Sequence, residues 1–172
     1  MGSIGRGAVC VKIELCERTE RHVRIYFEKA RAPEIRAMLP QRAATVEEAV
    51  EDYCNSIKPG SSSFGRTIYA DGVYVGDIWC YGLGQGSDPD AMVSYCVFEK
   101  SCWNRGIASD ALCRFLAEIT VRFQLKNIGA FAYAENKASI AVLRKNGFQE
   151  QERFVENGIE SVYCSLHVCE ET

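Results

Sequence analysis

The stretch of residues 106–124 restricts the possible folds more than any other part of the sequence. Its apolar residues recur every three or four positions, which is the spacing of one stripe on an amphipathic helix. Just before it, residues 91–98 form a short, nearly continuous apolar run, typical of a strand buried on both faces. This strand and this helix are the firmest elements of the predicted fold.

The other elements are predicted from alternation, capping residues and turn signals. Thr19 and Thr45 are placed to start two helices, and Asp71-Gly72 and Asn157-Gly158 are hairpin signals. The predicted class is α+β with a mixed sheet, as a single domain over residues 1–172. The predicted order is a strand (9–17), helices starting near 20 and 45, strands 66–70, 73–81 and 91–98, helix 106–124, strand 128–134, helix 137–146, and strands 148–155 and 161–168.

The composition excludes several classes of protein. The chain has 172 residues, 47% of them hydrophobic and 25% charged, which is ordinary for a globular protein and excludes a disordered chain. No apolar run approaches the roughly 18 residues that cross a bilayer, so we expect no membrane partner. The net charge of −3 lacks a basic excess, so we expect no nucleic-acid partner.

The cysteines and histidines point to neither disulfides nor a metal. The nine cysteines are odd in number and include no C-x-x-C pair, so we interpret them as small buried hydrophobes. The two histidines have no cysteine at ligand spacing, so we expect no metal. Because the first residues also lack the apolar region of a secretory signal, the predicted location is the cytoplasm.

The junction at residues 99–109 joins the buried strand to the amphipathic helix. The start of a helix offers unpaired N–H groups, and the small residues Gly106 and Ala108 would let a phosphate approach them. The pattern therefore suggests binding of a pyrophosphate. On its own, the pattern more often marks a tight turn with close helix-to-sheet packing.

A second motif follows the next strand, with Asn136 and Ser139 leading into a short helix that ends at Gly147-Phe148. Together with Trp103-x-x-Gly106-x-Ala108, it resembles the GNAT (Gcn5-related N-acetyltransferase) superfamily, whose motifs are Q/R-x-x-G-x-G/A and N-x-x-S/A. The RimJ/RimL branch of ribosomal-protein N-terminal acetyltransferases is the most similar branch. The resemblance is strong over residues 91–150, and Trp103 departs from the first motif position.

The resemblance implies a fold, a co-substrate and a set of binding residues. The fourth and fifth strands of the sheet would splay apart and hold the pantetheine arm of acetyl-CoA. Main-chain amides near Val97 and Phe98 would pair with that arm and polarise the thioester carbonyl. Asn136 would bond the arm near its sulfur, and Arg144 or Lys145 would meet the remaining phosphate. The residues expected at the pyrophosphate are Asn104, Arg105, Gly106, Ile107, Ala108 and Ser109.

Direct transfer to an amine needs a base for the ammonium proton and benefits from a donor to the leaving thiolate. Many relatives supply that donor with a tyrosine, whose position here is Leu143. Ser139 is therefore the expected donor, although a serine near a helix start often only caps the helix. Glu99 is the expected base, although it is equally consistent with a solvated rim. Glu135 is a weaker candidate, and a base acting through water is also compatible.

The function implied is an acetyl-CoA-dependent N-acetyltransferase acting on a primary amine, either a protein N-terminus or a small molecule. For a polycationic acceptor, Glu47, Glu48, Glu51 and Asp52 are candidate contacts, unless they are only the solvated first turns of their helix. The alternative function is a non-catalytic acyl-CoA-binding module. A dinucleotide-binding enzyme is excluded because G-x-G-x-x-G is missing. A homodimer is a modest expectation.

Overall fold

The computed structural model describes residues 11–168. The expectation of one domain over residues 1–172 extends beyond them and stays a prediction, as does the strand at positions 9 and 10. The helices and strands follow the predicted order, with one short helix and one 3₁₀ turn added. In chain order they are β1 (Ile13–Cys16), α1 (Glu20–Lys29), α2 (Pro33–Arg36), α3 (Val46–Ser56), β2 (Ser63–Ala70), β3 (Val73–Tyr81), β4 (Ala91–Val97), the 3₁₀ turn (Lys100–Cys102), α4 (Ile107–Phe123), β5 (Asn127–Tyr133), α5 (Lys137–Lys145), β6 (Gln149–Glu156) and β7 (Ile159–His167).

The described strands form one seven-stranded sheet in the order β1-β2-β3-β4-β5-β7-β6. Every neighbouring pair is antiparallel except β4 and β5, which are parallel. This confirms the predicted α+β class with a mixed, mostly antiparallel sheet. β2 begins three residues earlier than predicted, because Ser63 already pairs with Tyr81 at the far end of β3.

The local signals for helix starts and turns act as expected. The Glu48 N–H donates to Thr45 Oγ1 at 3.2 Å, while the Glu48 side chain accepts a hydrogen bond from Ala44 N rather than from Thr45. Asp71-Gly72 and Asn157-Gly158 form the turns of the β2-β3 and β6-β7 hairpins, and these four residues have positive φ. Such turns match the right-handed twist of the strands that they join.

Helix α4 provides the centre of the main core. Leu112, Phe115 and Ile119 are fully buried against strand residues such as Ile78 and Ile128. Each buried side chain of this size contributes about 1.5–3 kcal/mol of hydrophobic stabilisation. No helix within residues 11–168 is long and apolar enough to cross a membrane.

A second, smaller cluster lies where α1 and α2 meet β4. Its buried members are Ala30, Ile35, Cys96 and Phe98. The expectation that most cysteines are buried is only partly correct. Of the seven described cysteines, all free thiols, Cys80, Cys96 and Cys164 are buried, Cys102 is half-buried, and Cys16, Cys54 and Cys113 are exposed.

Candidate active site

A groove opens between β4 and β5, because these two strands pair only at their first residues. Ala91 pairs with Ile128 and Met92 with Gly129, and no further pair joins the two strands within the described residues. A Cβ on Gly129 would lie 2.5 Å from Met92 Sδ, so glycine permits the close approach at the point where the strands part. From Val93 onward the edge of β4 faces the groove, as the resemblance implied.

The main-chain groups at the end of β4 are directed to different sides. Phe98 N–H donates to Val75 O of β3 at 2.9 Å. Neighbouring amides along a strand point to opposite sides, so the Val97 N–H points into the groove. The two expected amides are therefore reduced to one, since that of Phe98 is already bonded within the sheet. The Val97 carbonyl accepts a hydrogen bond from Trp103 Nε1 at 2.7 Å, which ties the junction to this strand.

The start of α4 is open toward solvent and has no capping side chain. Its N-cap, Gly106, has a φ of 79°, and a Cβ there would meet no atom within 4 Å. Asn104 has a φ of 58°, so the chain turns sharply before the helix. The amides of Ile107, Ala108 and Ser109 precede the first residue that bonds within the helix, Asp110. Such free amides and the helix dipole favour an anion.

Two cations near this helix start have no ion-pair partner among residues 11–168. They are Arg105 and Lys145, and both are exposed. Arg144, the alternative to Lys145, is instead bonded to Glu150 at 3.4 Å. The cofactor is anionic, and these cations supply positive charge in a protein whose net charge is −3.

Asn146 connects α5 to the start of α4 and is a residue that the sequence analysis missed. Its Nδ2 lies 3.2 Å from Ser109 O, 3.1 Å from Ser109 Oγ and 2.9 Å from Val142 O. Ser109 is 7% exposed, and its hydroxyl accepts from Asn146. Of the groups of Ser109, the main-chain N–H is therefore the one that we expect to bind a ligand.

Ser139 and Asn136 lie together at the start of α5. Asn136 is the N-cap, and its Oδ1 accepts from the Ser139 N–H at 3.0 Å. Its Nδ2 has no hydrogen-bond partner in the described part of the chain and remains available to a ligand. Leu143 is 1% exposed and lies in the core, so α5 supplies no other group at the position where many relatives have tyrosine.

Tyr95 reaches from β4 to Ser139 and is not among the site residues expected from the sequence. Its Oη lies 2.9 Å from Ser139 Oγ. Burial raises the pKa of Tyr95 to about 12, with the hydrogen bond to Ser139 acting in the opposite direction. A tyrosine in an apolar strand needs a partner for its hydroxyl, and that is the only signal the sequence offered.

The carboxylate of Glu99 forms an ion pair with Lys29 at the end of α1. Lys29 Nζ donates to Glu99 Oε1 at 2.6 Å, and the next residue, Lys100, pairs with Glu34. Glu135 is exposed at the start of α5. Neither carboxylate lines the wide cleft between α1, α3 and the β6-β7 hairpin. Within residues 11–168 no group of three or more His, Cys, Asp or Glu side chains is placed to hold a metal ion.

A wide cleft of about 1830 Å³ lies between α1 and α3 on one side and the hairpin of β6 and β7 on the other. Ser94 of β4 lines it, so the cleft reaches the strand whose edge forms the groove. The charged residues in its lining are the carboxylates Glu17, Asp52 and Glu156 and the cations Arg18, Arg42, Lys58, Arg66 and Arg122. Of the four acidic residues expected to meet a polycation, only Asp52 lines the cleft.

Comparison with solved structures shows the same fold. RimL, the ribosomal L7/L12 alpha-N-protein acetyltransferase in complex with coenzyme A, is 20% identical, with a TM-score of 0.75 over 94% of this chain and 97% of that one. Mycobacterium smegmatis RimJ, in complex with CoA-disulfide, is 20% identical, with a TM-score of 0.76 over 90% of this chain and 81% of that one. The aminoglycoside acetyltransferase AAC(6')-Ib, in complex with coenzyme A, is 16% identical, with a TM-score of 0.73 over 92% and 95%.

The sequence comparisons identify the family. No curated protein sequence is significantly similar to the chain. The family model described as "Acetyltransferase (GNAT) domain" matches residues 13–149, which is most of the chain and includes both motifs. The structural neighbours include RimL and RimJ, of the branch that the sequence resembles. The chain therefore belongs to the GNAT acetyltransferase family.

Proposed function

We propose that the chain transfers an acetyl group directly from acetyl-CoA to a primary amine that enters through the wide cleft. The observation that carries this proposal is the continuity of two features. The open edge of β4 ends at Val97, and the uncapped start of α4 follows nine residues later, tied back to Val97 O by Trp103. A ligand with an amide-bearing arm and a pyrophosphate fits this arrangement.

In the proposed complex, the chain binds the two ends of acetyl-CoA with different groups. The Val97 N–H and Asn136 Nδ2 would hold the arm, and the main-chain amides of residues 104–109 the pyrophosphate. Arg105 and Lys145 are exposed cations suited to the phosphates. These assignments are supported by the free amides at the start of α4 and by the splay of the two strands.

The proposed chemistry needs few protein groups. When bound, acetyl-CoA supplies the acyl group in an activated thioester form. Ser139 is the proposed hydrogen-bond donor to the sulfur, since its hydroxyl lies on α5 beside the groove. Glu99 remains the proposed base, acting through water because its carboxylate is paired with Lys29 at 2.6 Å. The ammonium proton is proposed to leave through that water.

The charges of the cleft bear on the choice of acceptor. Three carboxylates line it, against five cations, of which Arg18 and Arg66 are already paired with Asp77 and Glu118. A polycationic acceptor such as an aminoglycoside would need an excess of carboxylates. The volume of about 1830 Å³ also exceeds the roughly 300–1,000 Å³ of a typical small-molecule pocket. We therefore propose the N-terminus of a polypeptide as the acceptor, ahead of a small polyamine.

The decisive experiment is calorimetric titration with acetyl-CoA, followed by measurement of free-thiol release with acceptors added. The panel contains short peptides with free N-termini, the same peptides with blocked N-termini, spermidine and an aminoglycoside. We expect binding and release of thiol with the free peptides only. Binding without release for any amine would favour the non-catalytic module, and no binding would overturn the co-substrate assignment.

The cytoplasm remains the proposed location. Its support is chemical, since the seven described cysteines are all free thiols and a reducing compartment keeps thiols in that state.

A further inference from the structure

The hydroxyl of Tyr95 bridges the groove between β4 and α5. Tyr95 Oη lies 2.9 Å from Ser139 Oγ and 3.2 Å from Ser139 O, so its single hydrogen has two acceptors within reach. Tyr95 stands on the open edge of β4, and Ser139 in the first turn of α5. The contact therefore joins the two walls of the proposed acetyl-CoA site at the residue proposed to meet the sulfur.

Ser139 is held by two side chains and by no others within residues 11–168. Asn136 Oδ1 accepts its main-chain N–H at 3.0 Å, and Tyr95 is the partner of its hydroxyl. A serine inside a helix often bonds the carbonyl four residues earlier, which turns its hydrogen toward the helix. Ser139 Oγ makes no such bond within residues 11–168 and lies 2.9 Å from Tyr95 Oη instead, so Tyr95 is placed to orient the Ser139 hydroxyl.

We propose that Tyr95 is a positioning residue whose hydroxyl donates to Ser139 Oγ, the nearer of its two acceptors, and so directs the Ser139 hydrogen toward the sulfur of the leaving group. The inference rests on the proposed function. A serine hydroxyl has one hydrogen and two lone pairs, so a donor on one lone pair leaves the hydrogen free for another acceptor. A phenylalanine would fill the same space and make no such bond.

The atoms and electrons of the step balance without a proton from Tyr95. The new C–N bond forms, the C–S bond breaks, and sulfur keeps the electron pair of that bond. The amine loses its proton to water, and the Ser139 hydroxyl donates a hydrogen bond to the thiolate. Because burial raises the pKa of Tyr95 to about 12, its phenol stays neutral and remains a donor throughout the neutral range.

The test is a double-mutant cycle with Tyr95→Phe and Ser139→Ala, measured with the best acceptor of the panel. For Tyr95→Phe we expect kcat to fall about tenfold, the effect of losing one hydrogen bond of ordinary strength, with KM for acetyl-CoA nearly unchanged. In the Ser139→Ala background, Tyr95→Phe should lower kcat no further. Tyr163→Phe is the matched control, since its hydroxyl has no hydrogen bond in the described part of the chain, and its kcat should stay at the wild-type value.

Two results would overturn the inference. One is a Tyr95→Phe enzyme with the wild-type kcat. The other is an equal loss of kcat from Tyr95→Phe in the presence and in the absence of the Ser139 hydroxyl, because a merely structural role of Tyr95 does not depend on the serine. If the wild type turns over acceptors normally in either case, the proposed function survives and only the role of Tyr95 fails.

A second measurement needs no acceptor. The affinity for free coenzyme A is titrated across the pKa of its thiol, where a donor at the sulfur favours the thiolate. We expect the wild type to bind more tightly as the thiol ionises, and Tyr95→Phe to lose most of that gain. Equal pH profiles would overturn the inference even if the protein were only a binder. Failure of the wild type to bind coenzyme A at any pH would overturn the proposed function together with it.

Discussion

At the scale of single residues, Asp77 is the charged residue that is buried within residues 11–168. It lies on β3 with 1% exposure, accepts from Tyr74 Oη at 2.7 Å and has Arg18 Nη2 2.8 Å from its Oδ2. Burial raises its pKa to about 6, while the Arg18 guanidinium and the Tyr74 hydroxyl act in the opposite direction. Desolvation is therefore the larger effect, and the folded protein holds the Asp77 proton more tightly than the unfolded chain.

The sign of the pH dependence follows from that pKa. A raised carboxyl pKa adds stability at low pH, and that stability is lost as the pH rises through about 6. We expect the free energy of unfolding of the wild type, relative to Asp77→Asn, to increase by up to about 3 kcal/mol between pH 7 and pH 4. Urea unfolding of both proteins at each pH measures the difference.

The matched control for Asp77 is Asp90→Asn. The N–H groups of Lys126 and Asn127 lower the pKa of Asp90. The stability that the Asp90 carboxylate contributes is therefore lost only as the pH falls below the ordinary pKa of a carboxyl group. The wild type should therefore gain no stability relative to Asp90→Asn on acidification from about pH 7 to pH 4. A difference in the free energy of unfolding between the wild type and Asp77→Asn that does not change with pH would contradict the raised pKa of Asp77.

The close contact of β3 with β4 is the critical feature at the scale of elements, because β4 forms one wall of the groove. Gly76 pairs with Val97, and a Cβ at Gly76 would lie 2.2 Å from Cys96 O, which is a main-chain atom. Strand β4 cannot give way without disturbing its hydrogen bonds to β3. Glycine at position 76 is therefore required by packing rather than by its φ angle.

We expect Gly76→Ala to destabilise the protein by about 2–4 kcal/mol, the cost of forcing an extra group into a packed region. Gly65→Ala is the control on the neighbouring strand, because the nearest atom to its added Cβ is Trp79 Cβ at 3.3 Å. Its effect should be clearly smaller. Midpoints of urea unfolding compare the two variants, and equal losses would refute the packing argument.

At the scale of the whole molecule, the end of the sheet formed by β5, β7 and β6 carries exposed apolar side chains. Phe131 on β5 is 53% exposed and Ile159 on β7 45%, and the strand register puts them on the same face of the sheet as Phe154 of β6. The rings of Phe131 and Phe154 lie 5.8 Å apart, so part of this surface is continuous. Such patches occur at contacts between proteins.

The expected homodimer is testable at this surface. We predict a dimer in solution by light scattering and dissociation toward monomers in Ile159→Lys, because a charge cannot be buried there without a partner. Val121→Lys is the control, since Val121 is 82% exposed on α4, away from these strands. A wild-type monomer at every concentration would refute the dimer, and a dimeric Ile159→Lys would place its interface elsewhere.

The sequence alone determined the features that depend on neighbours along the chain. Hairpin turns, helix caps and the stripe of α4 arise within a few residues, so the element order was predictable from periodicity and turn chemistry. The two acetyl-CoA motifs are also local, since each lies in one turn and the helix that follows. The family could be identified from them before any contact was known.

Only the tertiary structure decided which distant groups meet. Lys29 holds Glu99 from 70 positions away, Tyr95 meets Ser139 from 44 positions away, and the amide of Phe98 bonds to β3 instead of facing the groove. A side chain of given chemistry can face the core, a partner or a ligand. The register of the strands and the packing of the helices determine which of these a side chain faces. Neither can be recognised from the residues next to it in the sequence.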